Sequence, residues 1–337
     1  MTKKHKLTVL ILFSIPTAIT LLIFGYILGI KDTELKNNKT LIFSATITQS
    51  AGSLIHTIQI ERGLSAGFLA SKNTNIQDKT KLLKQQKLTD KFYKGFMLSI
   101  QNNQEKKNFN KLIQDKELLL EVNKEMSRVK MIRTKILSHS ISFDNEIKYY
   151  SNINTKLLDI MHNFAIFDTK NNYEGVLIYD IETLKENLGL ERAYIYNQLL
   201  SNKIQNEKLN KTKRLITTQD IIRKKLLLDS TPQIKELYNN FVDKASLNEI
   251  QKFRDDFLCK KLDSSDAKKW FVLSTNFIDR HEALSINISD IYLKNIQQNY
   301  SKSQTVMYII VALFVFYIIL ILILVYTLNN ILARFED

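Results

Sequence analysis

The chain has 337 residues with only 8 glycines and 2 prolines, too few turn formers for a sheet protein, so an all-α fold is expected. Its one cysteine, Cys259, excludes an internal disulfide, and His5, His56, His139, His162 and His281 lack the spacing that a metal site requires. The formal charge is +14, but lysine is spread along the whole sequence, which reads as a solvated surface rather than a nucleic-acid footprint. No haem-attachment motif, Gly-rich phosphate loop or nucleophile elbow is present, so neither an enzyme nor a resident cofactor is expected.

Residues 1–6 form a basic start with Lys3, Lys4 and Lys6, followed at 7–30 by an uncharged run about 36 Å long as a helix, enough to cross a bilayer. A cleaved signal peptide is the competing reading. The run is longer than a signal core and no Ala-x-Ala follows it, which favours a membrane anchor interrupted by Pro16. Residues 305–328 form a second uncharged run. The basic N-terminus belongs in the cytoplasm, which places 31–304 outside and returns 329–337 inside, a two-pass protein of the inner (cytoplasmic) membrane. A tail of that length holds no output module, so the chain is expected to be part of a longer receptor or to signal through a separate cytoplasmic partner.

Between the spans, the first transmembrane helix is expected to continue to about Ser71. Helices over 76–103 and 106–139, and one reaching about Phe167, complete a first antiparallel four-helix bundle, at about 31–170. The second bundle, at about 171–304, starts with helices over Tyr173 to Asn202 and over 205–229. Thr231-Pro232 opens a short helix and the capping box Ser246-Leu247-Asn248-Glu249 opens another. A last helix starts at Ser264/Ser265 and runs through Trp270, Phe277 and Leu284 into the second span.

Within this pattern, arginines fall where core residues belong. The stripe Ile55, Ile58, Arg62, Ala66, Leu69 has helical steps, and 130 positions later Ile181, Leu184, Leu188, Arg192, Ile195, Leu199 repeats it. Arg254 lies in line with Leu247, Ile250 and Phe257, in competition with Phe253; Arg133 lies in line with Met126, Val129 and Ile136. A guanidinium keeps its proton, so each inward arginine needs a carboxylate or another anion. Glu61 is a poor partner for Arg62, because adjacent helix residues point about 100° apart. Gly63, Ala66 and Gly67 leave room for a ligand or for close helix packing.

The ordered set Gln59-x-Glu61-Arg62-Gly63-Leu64-Ser65-Ala66, Tyr149-Tyr150 with Asn154 and Leu157-Leu158-Asp159, Leu190-Glu191-Arg192-Ala193, Ile250-x-x-x-Arg254, and Trp270-Phe271 with Thr275, Ile278 and Asp279 resembles the nitrate- and nitrite-sensing (NIT) domain of bacterial membrane receptors and antiterminators. The resemblance spans roughly residues 50 to 290. It implies two four-helix bundles and anion sensing by arginines at their interface, which carried over by motif are Arg62, Arg192 and Arg254. Nitrate is planar, carries one charge and offers three acceptor oxygens, a match for guanidinium forks.

Two functions of different class follow. The first is a receptor, of chemotaxis or another signalling system, that senses nitrate or nitrite outside the cell, with the membrane and a second copy in a homodimer as partners. The second is a membrane-tethered helical interaction module with internally paired arginines and no small-molecule ligand.

Overall fold

The computed structural model describes residues 3–70, 76–104, 116–165, 173–201 and 205–334, and every regular element among them is helical. These are α1 (Lys3–Ala70), α2 (Ile76–Gln104), α3 (Lys116–Leu137), α4 (Phe143–Ala165), α5 (Tyr173–Leu200), α6 (Asn206–Asp229), α7 (Pro232–Phe241), α8 (Lys244–Leu258), a 3-10 turn (Ser264–Asp266) and α9 (Ala267–Arg334). The turn expected at Ser71-Lys72-Asn73-Thr74-Asn75 and the start of the helix expected from 106 lie outside the described residues.

One compact unit comprises residues 1–42 and 294–337. Here the N-terminal part of α1 and the C-terminal part of α9 run antiparallel: Phe24 meets Phe314 at 5.4 Å between ring centroids, and Ser303 donates to Glu34 at 2.5 Å. The outer faces are apolar and bare, with Leu22 74% and Leu322 63% exposed. Both helices are long and apolar enough to cross a membrane.

The other unit, residues 43–293, holds two four-helix bundles. In the first, α1 to α4 are cross-linked by Gln85 donating to the Thr57 carbonyl, Arg133 to Glu61, Tyr93 to Asn123, and the Phe43–Phe164 ring contact. In the second, α5, α6, the α7–α8 arm and α9 are joined by Lys225–Asp180, Arg254–Glu191, the Phe253–Trp270 rings and the Tyr238–His281 rings. α1 and α5 are the inner helices of their bundles and pack on each other, so they are buried all round rather than along one stripe. Both predicted stripes are inside: Ile55, Ile58, Arg62 and Ala66, and Ile181 through Leu199, are buried, with Leu69 at the partly exposed end.

Thr231 caps α7 and Pro232 opens it, as expected. The capping box at Ser246 is not the start of α8. The helix begins at Lys244, and Asp243 accepts from the Ser246 amide and hydroxyl, both at 2.7 Å. A carboxylate is the stronger acceptor at a helix N-terminus, where the dipole favours negative charge. These hydrogen bonds, with one from Arg280, hold the Asp243 carboxyl down to about 2. The last helix is likewise entered through a 3-10 turn capped by Asp263.

Candidate functional site

Each inner helix carries a Glu-Arg pair, and in both the glutamate is taken by an arginine from across its own bundle. Glu61 receives Arg133 through two bonds at 2.8 and 2.9 Å, and Tyr150 donates to it at 2.7 Å. Glu191 receives Arg254 through two bonds at 2.7 Å, and Gln219 donates to it at 2.9 Å. Bidentate arginine–carboxylate pairs with further hydrogen bonds meet the conditions under which burial of both charges is tolerated. They act as braces that fix α1 in the first bundle and α5 in the second.

With its neighbouring glutamate engaged on one side, the arginine of each pair is turned to the seam between α1 and α5. Arg62 is fully buried. Its guanidinium donates to Glu186 of α5 at 2.5 and 3.2 Å and to Ser151 of α4 at 2.8 Å. Glu186 also accepts from Gln59 at 3.0 Å and Asn154 at 2.8 Å, so its carboxylate is surrounded by donors. This is an internal ion pair across the bundle interface.

Arg192 is set differently. Its guanidinium donates to Thr275 of α9 at 2.9 Å and to the backbone carbonyl of Gln59 at 3.1 Å, and it lies over the Phe271 ring at 5.2 Å. Its Nε has no partner, and no carboxylate lies within ion-pair distance of it among the described residues. Burial, then repulsion from Arg62, pushes its pKa down to about 10. A guanidinium stays protonated at neutral pH at either value, so the shift expresses an unmet demand for negative charge. Among the described residues the other buried lysine and arginine side chains are met: Arg62, Arg133 and Arg254 as above, and Lys185 by Glu182 and Glu282.

The two seam arginines cross very close to the facing backbone. A Cβ on Gly63 would stand 2.6 Å from Arg192 Nη2, and one on Gly189 would stand 2.7 Å from Arg62 Nη2. At both crossings each guanidinium occupies the space of a side chain, so a Cβ would force the arginine to shift. Ser151, whose hydroxyl accepts from Arg62, is also a lining residue of an open groove of about 730 Å³ beside the α3–α4 turn, whose wall carries Lys135 and Lys148 and no acidic residue. One further group is unusual: Glu146 of α4 is fully buried with both carboxyl oxygens unpartnered, and burial pushes its pKa well up, against the pull of Arg62.

Of the three arginines singled out from sequence, Arg62 and Arg192 thus meet at the seam, while Arg254 sits in the brace on Glu191. Sequence reading placed Arg133 on a core stripe without assigning it a role and missed Glu186 and Glu146. A stripe predicts one buried face, but an inner helix of two joined bundles has no solvated face, so the off-stripe Glu186 is interior too; Glu146 instead lies on the buried stripe of α4, four residues before Tyr150. The 130-residue repeat marks α1 and α5 as equivalent helices but names no partner for either arginine.

A family model described as nitrate and nitrite sensing matches residues 53–290. The chain also resembles the solved structure of the NasR transcription antiterminator, with a TM-score of 0.70, 16% identity, and coverage of 87% of this chain and 83% of that one, a likeness of fold. No curated protein matches.

Proposed function

Since the chain belongs to the nitrate and nitrite sensing family, we propose that its α1–α5 seam binds nitrate or nitrite as the input site of a two-pass membrane receptor. The observation that carries this reading is Arg192, a buried guanidinium with a free Nε and no carboxylate of its own. An unpaired buried charge costs several kcal/mol, and a planar monoanion that accepts from it would recover that cost. Arg62 forms the other wall, and Arg254 serves as a brace behind Glu191 rather than as a ligand-facing group. The groove that reaches Ser151 is the access route, with Lys135 and Lys148 at its wall.

The seam is closely packed at Gly63 and Gly189, so an anion is admitted only as α1 and α5 shift. Arg62 lies on α1 and Thr275 on α9, the same two continuous helices that contain the apolar runs. Movement of these helices is the signal, read out inside the cell by a chemotaxis or other signalling system, with two chains bringing four spans together as a homodimer. In this topology the exposed Cys259 faces outward. An impermeant maleimide should label it in intact cells, and protection of Cys259 there would reverse the topology.

Binding is tested on the full chain in detergent. Sodium nitrate should raise its thermal stability with saturation, by about 2.7 kcal/mol at one hundred times Kd, where sodium chloride at equal ionic strength does not. Equal effects of nitrate and chloride would leave the arginines as parts of an interaction module without a small-molecule ligand.

A further inference from the structure

We propose that Glu186 sets the charge selectivity of this seam, restricting it to monovalent oxyanions; the inference rests on the anion-site reading above. The seam holds two guanidiniums, Arg62 and Arg192, and one carboxylate, that of Glu186, which pairs with Arg62 alone; Gln59 links them, its side-chain amide donating to Glu186 while its backbone carbonyl accepts from Arg192. The seam therefore holds one net positive charge.

The surrounding charges do not alter that balance. Glu61 and Glu191 are each neutralised by a bidentate arginine, and Lys185 by Glu182 and Glu282. Glu146 is buried with both carboxyl oxygens unpartnered, and desolvation raises its pKa well above the ordinary value, which disfavours its charged form. Asp279 attracts Arg192 from beyond ion-pair distance, ahead of Glu186, and partial burial raises its pKa, but its side chain opens to solvent, where water screens its charge.

A monoanion brings the seam to neutrality, whereas a dianion would leave one buried negative charge uncompensated, which the interior penalises as it does the unpaired arginine. Glu186 also shows which shape the donors accept. Its planar carboxylate takes both Arg62 nitrogens, the Gln59 amide and the Asn154 amide at 2.5 to 3.2 Å. Replacing Glu186 by its neutral isostere keeps its shape, turns one acceptor oxygen into an amide donor that faces these donors, and raises the net charge of the seam by one unit, to a value that suits a dianion.

The test is calorimetric titration of the full chain in detergent with sodium nitrate and with sodium sulfate at equal ionic strength. The wild-type chain should bind nitrate at least tenfold more tightly than sulfate. In Glu186→Gln the ratio should fall by tenfold or more through a gain in sulfate affinity, while Glu186→Asp, which keeps the charge, and Asp279→Asn, which removes a screened one, should retain the wild-type preference. An unchanged ratio in Glu186→Gln overturns the proposal, as does a preference lost equally in Glu186→Asp, which would make shape the cause. Should Glu186→Gln not fold, wild-type and Glu186→Asp titrations decide: no preference in either overturns the proposal, and preference in both upholds it. A wild-type chain that binds neither anion defeats the anion-site reading itself, whereas nitrate binding without selectivity defeats only the role of Glu186.

Discussion

Arg62 and Arg192 stand in corresponding places and meet opposite fates. Both follow a glutamate held by an arginine from another helix of the same bundle, both donate to a hydroxyl, Ser151 or Thr275, and both cross the facing helix at a glycine. The offset of 130 that relates them also relates Glu186, the partner of Arg62, to position 56, and there the sequence has a histidine. His56 is largely buried; burial first, and then Lys185 and Arg192 among its neighbours, push its pKa down to about 3, so it stays neutral where Glu186 is charged. A near-repeat broken at this titratable position yields one arginine paired from within and one, Arg192, without a carboxylate at ion-pair distance among the described residues. Aligned instead on the hydroxyls of Ser151 and Thr275, an offset of 124, the two halves match Glu146 to Trp270, each five residues before its hydroxyl. One half places a partnerless carboxyl where the other places an indole that donates to the Arg192 carbonyl at 3.1 Å.

The contrast is broken most forcefully by removing either arginine. Arg62→Ala strands the buried Glu186 carboxylate and should lower folding stability by about 3 to 5 kcal/mol. Arg192→Ala strands no carboxylate, so its unliganded fold should lose far less, while nitrate-dependent stabilisation disappears. Denaturant melts with and without nitrate separate the two, and equal losses would erase the distinction between the halves. The reverse experiment supplies the missing partner. In His56→Glu a carboxylate drawn by Arg192 and Lys185 should fill the seam and abolish the nitrate response; a response of wild-type size would show that position 56 is not the counterpart of Glu186.

Glu146 sharpens the same comparison through pH. Its folded pKa lies well above the unfolded value of 4.5, so the folded chain holds a proton that the unfolded chain has released. Its contribution to stability is therefore full below pH 4.5 and is lost as pH rises towards the folded value, at about 1.4 kcal/mol per pH unit. Glu146→Gln removes this slope, so the variant should gain on the wild type as pH rises from 4.5 towards the folded value. A difference that does not change over that range would mean that Glu146 is ionised in the fold.

How much of this was legible in the sequence follows from what each signal encodes. The two uncharged runs, the scarcity of glycine and proline, and the repeated stripes carried the all-α fold and its two bundles, because burial at helical spacing is a local pattern. Arg62 and Arg192 were visible as charges on apolar stripes. Their different fates were not, since they depend on Glu186 and His56, which lie off the stripes and matter only once α1 and α5 face each other. Arg254 read as the equal of the other two because periodicity reports burial and is blind to the partner, here Glu191. Cap competition hid the start of α8, where Asp243 takes the role that the Ser246 motif announced.

The smallest expected effect lies at the two glycines and discriminates most finely between the halves. Alanine is the better helix former by about 1 kcal/mol, so each substitution begins with that gain. Against it stands the added methyl, 2.6 Å from Arg192 Nη2 in Gly63→Ala and 2.7 Å from Arg62 Nη2 in Gly189→Ala, both closer than contact allows. The outcome depends on whether the arginine can give way. Arg192 is held by one hydroxyl and one carbonyl and can swing by a few tenths of an ångström without breaking an ion pair. Arg62 is clamped by Glu186 and Ser151, and Glu186 is itself fixed by Gln59 and Asn154, so displacement disturbs a network of buried charge. Gly63→Ala should therefore come out within about 1 kcal/mol of the wild type, and Gly189→Ala should lose about 1 to 3 kcal/mol, the usual cost of overpacking a close contact. Nitrate response should follow the opposite order, because the methyl of Gly63→Ala intrudes on the arginine that the anion needs. Paired denaturant melts and nitrate titrations of the two variants measure both, and equal destabilisation with equal loss of response would mean that the two arginines are held alike.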